Sequence, residues 1–335
     1  MTVTPVELAT DPAAGGSVMG SSVGNSPIRG RSPGQLAWRR LRRDKVAVLA
    51  AAVLAVYVLL ALLGPLLLRA LHITVNQQNS DLLDDFGAPM GRLGGISSTH
   101  PFGVEPQLGR DLLGQVVIGM RTSLTIAVIV TLVSTVIGVI AGVAAGFAGG
   151  WVDGAISRTM DLFLAFPTLL FLIAIIPVLQ QKFAPDATQP QKWVRITLLL
   201  VLLIVFGWAG LSRLMRGQTV VLRDREFIEA ARAMGAGPGH IIFKQLLPNL
   251  WAPILISVSL SVPALVTTEA ALSFLGVGIL EPTPDLGRTL QASINWLQTD
   301  PMYFLFPGLT IVVLVLAFNL LGDSVRDALD PKSFR

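Results

Sequence analysis

The sequence predicts an all-α membrane protein with about six transmembrane helices and both termini in the cytoplasm, and three observations carry that expectation. Apolar residues make up 52% of the 335 residues and charged residues only 14%, a balance unlike that of a soluble domain. The apolar residues gather into runs at 46–68, 118–148, 161–180, 194–212, 250–275 and 303–322, and about 20 helical residues cross a hydrocarbon core of roughly 30 Å. With the N-terminus inside, 17 Lys and Arg fall on the cytoplasmic side and 8 on the other, the bias that orients spans.

The same composition excludes several function classes. The net charge of +4 comes from basic residues placed beside apolar runs, not spread over an aromatic-studded polar surface, so nucleic acid is not an expected partner. Cysteine is absent, and His72, His100 and His240 stand far apart without metal-ligand spacing, so no metal site is expected. Residues 1–34 are rich in Gly, Ser, Pro, Thr and Ala and are expected to form a disordered tail, because they cannot bury enough apolar area to offset ordering entropy. A cleaved signal peptide is not expected, since the first apolar run starts only near Val46.

Taken in order, residues 35–45 form a basic juxtamembrane segment with Arg39, Arg40, Arg42, Arg43 and Lys45 beside Trp38. The first transmembrane helix spans 46–68, and 69–115 is an extracytoplasmic segment with repeated Gly and Pro, ending in His100-Pro-Phe-Gly and Gly109-Arg110-Asp111-Leu112-Leu113. A structured turn that fixes the entry of the second span is one reading of those phrases, and solute contact is the other. Residues 116–325 form the core of the membrane domain. Its second span carries Gly138 and Gly142 four residues apart, which lets helix backbones approach, and its third carries Pro167, which removes a backbone hydrogen bond and should bend the helix. The fifth span has Pro253, Pro263, Ser257 and Ser261. The two serines share a face and suit either a permeation path or helix packing. Glu269 is the one acid of that run, a functional-site hypothesis by default. Lying about 27 Å along the helix from Trp251, it suits an outer gate or a packing role. Residues 276–300 should form an external re-entrant or interfacial segment, and 326–335 a cytoplasmic tail.

Between the fourth and fifth spans lies a polar island, 223–249, on the cytoplasmic side. Glu226 to Met234 are good helix formers, and Gly235 can take the left-handed cap. The Gly237-Pro238-Gly239 turn precedes a second short helix, His240 to Leu247, that Pro248 should stop. Both are shorter than the 12–15 residues or so an isolated helix needs. Phe227, Ile228, Met234, Ile241, Ile242 and Phe243 are too many apolar side chains for a free loop, so a docking surface is expected. The Gly235–Gly239 run lacks a following Gly-Lys-Ser/Thr and a preceding strand, so it is not a P-loop, and the chain is not expected to be an ATPase.

Glu229-Ala230-Ala231, followed by Gly235 and then Leu247-Pro248, resembles the EAA loop of bacterial ABC-importer permeases. His100 to Leu113 is similar to the HPFGTDxxGRDxLSR phrase of the peptide and nickel branch, with Val104-Glu105 replacing Thr-Asp and Gly114-Gln115 replacing Ser-Arg. Asp161 to Pro167 matches DxxLAFP, and Thr268 to Gly287 follows TEASLSFLGLGxxPPTPSWG with Asp285-Leu286 in place of Ser-Trp. The ending, Ala317 to Asp323 and Arg326 to Pro331, resembles the second membrane subunit of the dipeptide and oligopeptide transporters. The resemblance implies a type I ABC importer permease fold in the bacterial inner membrane and half of a translocation pathway for di- and oligopeptides. It implies a homologous permease as heterodimer partner and an extracytoplasmic solute-binding protein. Two ATP-binding subunits or domains would hold ATP and Mg, contacted through Glu229, Ala230, Ala231, Met234, Gly235, Leu247 and Pro248. Ser257, Ser261, Pro263 and Glu269 are the candidate pathway or gate residues. Nickel chelates or haem are alternative cargoes within the branch. An ion-coupled secondary transporter is the alternative from another class, one that predicts midplane acids and inverted repeats, neither of which stands out.

Overall fold

Residues 38–91, 93–183, 192–279 and 281–329 are described by the structure, a computed structural model of one chain. The expected tail at 1–34 and the last six residues of the 326–335 segment lie outside them. Among the described residues there is no strand, only isolated bridges Leu83 to Pro89 and Val104 to Asp111.

Helix α1, Lys45–Ala70, starts where Asp44 accepts from the Val46 backbone N–H at 2.9 Å, a side-chain cap for one of the first-turn donors. It is apolar on every side, burying Leu54 and Ala61 while exposing Leu49, Leu62 and Leu66, as a helix must whose outer face meets lipid. Helix α2, Leu112–Ala148, has 37 residues, about 55 Å of helix. Its start is capped by Asp111, whose Oδ1 accepts from Gly114 N at 2.9 Å.

Helices α3, Gly150–Ala165, and α4, Thr168–Phe183, are bent by 83° at Phe166-Pro167. The third apolar run is therefore divided between two helices. Phe166 is extended (ψ 133°) because a residue before proline is pushed out of the helical region. Among the described residues there are thus five helices long and apolar enough to cross a membrane, or six when the bent pair counts as one.

Helix α5, Lys192–Arg223, packs along α2. A Cβ on Gly142 would stand 2.4 Å from the Ser212 carbonyl oxygen, and one on Gly146 would stand 2.7 Å from Thr219 Cβ, so the small residues of α2 let the two backbones nearly touch. Arg216 grips Asp153 of α3 with both Nε–Oδ1 (2.5 Å) and Nη2–Oδ2 (2.7 Å), and Arg213 pairs with Asp161. The amphipathic α3 is thereby tied to α5.

After α5 come a short helix α6, Glu226–Ala233, then a helical turn Pro238–His240, a π-helical stretch Ile241–Leu246, and α7, Leu247–Phe274. The expected stop at Pro248 does not occur, and the helix continues from Pro238 to Phe274. Proline lacks the N–H for an i→i−4 bond and crowds that carbonyl. In the π-helical stretch Leu247 N instead reaches Ile242 O, five residues back, which lets the proline sit in the first turn of α7 without breaking it. Helices α8, Leu286–Ser293, and α9, Pro301–Leu329, complete the chain. The main core joins Leu54 and Ala61 of α1, Met120, Leu124 and Ala127 of α2, Val262 and Val266 of α7, and Leu314 and Ala317 of α9.

Candidate functional site

The two ends of α2 carry the two candidate sites. At its C-terminal end, Phe147 packs with Ile228, Ile241 and Leu246, all nearly or fully buried. One face of α6 is thus fastened to the base of the bundle. Arg223 adds a bond from Nη1 to Gly146 O at 2.8 Å, and Arg232 lies 6.0 Å over the Phe147 ring. Gly235 ends α6 at φ +85°, with Ala236 N bonded to Ala231 O at 3.0 Å, so the left-handed turn that only glycine adopts freely reverses the chain there.

The six apolar residues expected to form one docking surface divide between two faces. Ile228 and Ile241 turn inward, Ile242 is half-buried, and Phe227, Met234 and Phe243 remain exposed, Met234 by 82% and Phe243 by 70%. Ala231 is buried against the bundle, whereas Glu229, Ala230, Gly235 and Pro248 are exposed and Leu247 is half-buried. Glu229 forms no ion pair among the described residues.

At the other end of α2 residues 71–111, the 276–285 loop and α8 build a polar cap. His100 Nδ1 lies 2.8 Å from Asp111 Oδ2 while Asp111 Oδ1 caps α2, so one aspartate joins the loop to the helix. Gly103, at φ +80°, passes so close to the 94–96 strand of chain that a Cβ would stand 2.1 Å from Gly94 O. Deeper in, Arg110 pairs through Nε with Glu105, and its Nη2 donates to Glu281 Oε1 at 2.8 Å. Arg288 Nη1 donates to that same oxygen at 2.5 Å. Burial pushes the Glu105 carboxyl up, with Arg110 opposing. Burial also works against ionisation of Glu281, but Arg110 and Arg288 prevail and hold its carboxyl below the usual range.

The four candidate pathway residues lie along α7. Ser261 Oγ donates to the Ser257 carbonyl at 2.7 Å, and both serines are half-buried. Pro263 is buried. Glu269 is completely buried, accepts from Ser273 Oγ at 3.1 Å, and has Asp285 as its carboxyl neighbour. Sequence reading missed Arg110, Arg288, Glu281 and Glu105 as a group. Glu105 and Arg110 are five apart, but Arg110 and Glu281 are 171 apart, and no local pattern joins them.

Span-length helices packed through glycine contacts, a polar cap at one end and a half-packed loop at the other define a multi-pass membrane transport subunit. Residues 134–335 match the family described as binding-protein-dependent transport system inner membrane component, and residues 32–89 match the N-terminal TM domain of oligopeptide transport permease C. The chain belongs to this family of ABC-importer permeases. It is 36% identical over 301 residues to the dipeptide transport system permease protein DppC of Alkalihalophilus pseudofirmus, covering 90% of each chain. It is 36% identical over 306 residues to the oligopeptide transport system permease protein OppC of Escherichia coli K12, covering 91% of this chain and 93% of that one. The glutathione transport system permease protein GsiD of Salmonella typhimurium is 37% identical with the same coverage. In fold it is similar to a chain of the inward-facing MetNI methionine ABC transporter, with a TM-score of 0.51 and 20% identity over 64% of this chain and 96% of that chain.

Proposed function

We propose that this chain forms half of the translocation pathway of an ATP-driven importer for di- and oligopeptides, and that its 223–249 loop is the coupling element. The observation that carries the coupling reading is the division of α6 into two faces. Ile228 and Ala231 fasten it to the spans, while Met234 and the neighbouring Phe243 and Phe227 are exposed and Glu229 forms no ion pair among the described residues. Exposed apolar anchors beside a free charge suit a protein partner. The relatives named for dipeptide, oligopeptide and glutathione transport support a peptide cargo over nickel chelates or haem.

In this reading the loop end faces the bacterial cytoplasm and the cap end faces the opposite side. A homologous permease completes the pathway, two ATP-binding subunits carry ATP and Mg, and a solute-binding protein delivers peptide to the cap. ATP-driven closure of the ATPase pair draws the two coupling loops together. Because α6 is packed onto Phe147 and Leu222, its displacement moves the ends of α2 and α5. The test is ATP-dependent peptide uptake by the reconstituted complex. Glu229→Arg combined with Gly235→Trp is expected to abolish uptake and its link to ATP hydrolysis, and unchanged uptake and coupling would sink the assignment. Uptake driven by a proton or sodium gradient without ATP would instead favour an ion-coupled carrier.

A further inference from the structure

We infer that Arg110 and Arg288 form a carboxylate-binding slot, filled in this structure by Glu281 as an internal ligand, and that the slot takes the C-terminal carboxylate of a short peptide. The inference rests on the peptide reading above. One oxygen, Glu281 Oε1, lies between two guanidinium groups, 2.8 Å from Arg110 Nη2 and 2.5 Å from Arg288 Nη1. The arginines are almost wholly buried, at 5% and 8% exposure, whereas the Glu281 side chain is 47% exposed. Arg288 Nη2 finds only a long contact to Gln115 Oε1 at 3.4 Å, and its Nε is buried with no partner among the described residues. The guanidinium fork, which matches a carboxylate with two parallel donors, is therefore incompletely satisfied by Glu281.

A cavity of about 490 Å³ opens against the pair, lined also by Glu105, Asn295, Trp296 and Tyr303. That volume lies within the range of small-ligand sites. Glu105 balances one arginine from the buried side, so Glu281 supplies the second negative charge. It cannot leave alone, because a buried guanidinium without its counter-charge is strongly unfavourable. It can be exchanged for another carboxylate. A peptide would seat its carboxylate between the arginines while the displaced Glu281, whose side chain is already 47% exposed, turns to water, so no charge is left buried and unmatched. An acidic side chain of a docking protein would also satisfy the arginines, but it needs no cavity of this size.

The test titrates the assembled, nucleotide-free transporter in nanodiscs, without the solute-binding protein, with dialanine and with dialanine amide. Glu281→Gln removes the internal competitor. It is expected to tighten dialanine binding about tenfold and to leave the amide unchanged. Arg288→Gln is expected to abolish the preference for the free carboxylate, and Arg288→Lys, which keeps the charge and loses the fork, to reduce it. Equal responses of the two peptides to Glu281→Gln, or no dialanine binding by that variant, would show a permanent internal strut and overturn the slot. So would an effect that appears only with the solute-binding protein present, which would assign the slot to an acid on that protein. ATP-driven dialanine uptake by the unaltered complex is measured in parallel. Uptake without a Glu281 effect removes the slot alone. Tightened carboxylate binding without peptide uptake removes the peptide reading alone.

Discussion

At the cap end of α2 most charges are answered within the chain, with Arg288 Nε, Asp285 Oδ2 and Asp300 Oδ1 left without partners among the described residues. Asp111 serves His100 and the helix N-terminus together, Arg110 holds two glutamates, and Arg288 shares one of them. At the other end the same helix stops against a loop of which only one face is answered: Ile228, Ile241 and Leu246 are packed, while Met234, Phe243 and Glu229 are left in solvent. The two ends are folded to different standards of completeness. A self-satisfied region holds its own shape, and a half-satisfied one needs a partner to finish it. The contrast predicts that substitutions at the cap act on stability and that substitutions on the outer face of the loop act on coupling.

The sharpest way to break the comparison is to remove one member of the cap's buried network. Arg110→Ala leaves Glu105, at 2% exposure, buried without its counter-charge, which costs about 3–5 kcal/mol. Thermal unfolding of the purified permease should show a large loss, and an unchanged melting temperature would mean that the cap is not held by this network. Glu105→Gln together with Arg110→Met should recover part of it, because replacing both partners leaves no orphaned charge.

Next in size is the shaft between the two ends. Gly142→Ala places a Cβ 2.4 Å from the Ser212 carbonyl and 2.7 Å from Met215 Cβ. Backbone on one side cannot yield cheaply, so α2 and α5 must separate, at roughly 1–3 kcal/mol. Gly154→Ala meets nothing within 4 Å and serves as the control, expected to leave stability unchanged or slightly raised. Equal losses from both would show that α2 and α5 are not in close contact.

A smaller effect is expected from pH at the cap. Glu281 is held below the ordinary glutamate value of 4.5, against burial, by Arg110 and Arg288. Its contribution is therefore fully present above 4.5 and lost as pH falls through its lower folded value. Glu105 behaves oppositely, since burial raises its pKa and a proton on it eases the fold as pH falls. Proteolytic cutting of the 276–285 loop should therefore stay flat through the usual carboxylate range and rise only below it. A rise already near neutral pH would place the controlling titration elsewhere.

The fold class was legible in the sequence because hydropathy over span-length runs and the bias of basic residues are local properties that the bilayer enforces. The break at Pro167 was legible for a similar reason, since proline restricts itself and the residue before it. Pro248 misled because its effect depends on the hydrogen-bond register it meets, and the π-helical stretch before it removes the conflict. In the loop, composition showed too many apolar residues for a free segment but not which face each would take. Ile228 and Ile241 face inward because Phe147, 81 residues before the first and 94 before the second, arrives beside them. The Arg110–Glu281–Arg288 cluster was invisible for the same reason, being assembled only when the segment before α2, the loop carrying Glu281 and α8 meet.

The smallest stability effect, and the sharpest test of the comparison, belongs to the outer face of the loop. Met234→Asp and Phe243→Asp alter side chains that are 82% and 70% exposed, and surface changes of this kind usually stay within about 0.5 kcal/mol. Ile228→Asp, in the same loop but with no exposure, would bury an unpaired carboxylate and cost several kcal/mol. If the loop is finished by an ATPase subunit, the two exposed substitutions place a desolvated charge in that contact. Copurification of the ATPase with the permease, and peptide uptake per ATP hydrolysed, should fall steeply while the permease's melting temperature stays put. If Met234→Asp and Phe243→Asp lowered the melting temperature as much as Ile228→Asp, the exposed face would be part of the chain's own packing. If they changed neither stability nor ATPase association, the contact would lie elsewhere on 223–249, with exposed Glu229, Ala230 and Pro248 as the next positions to alter.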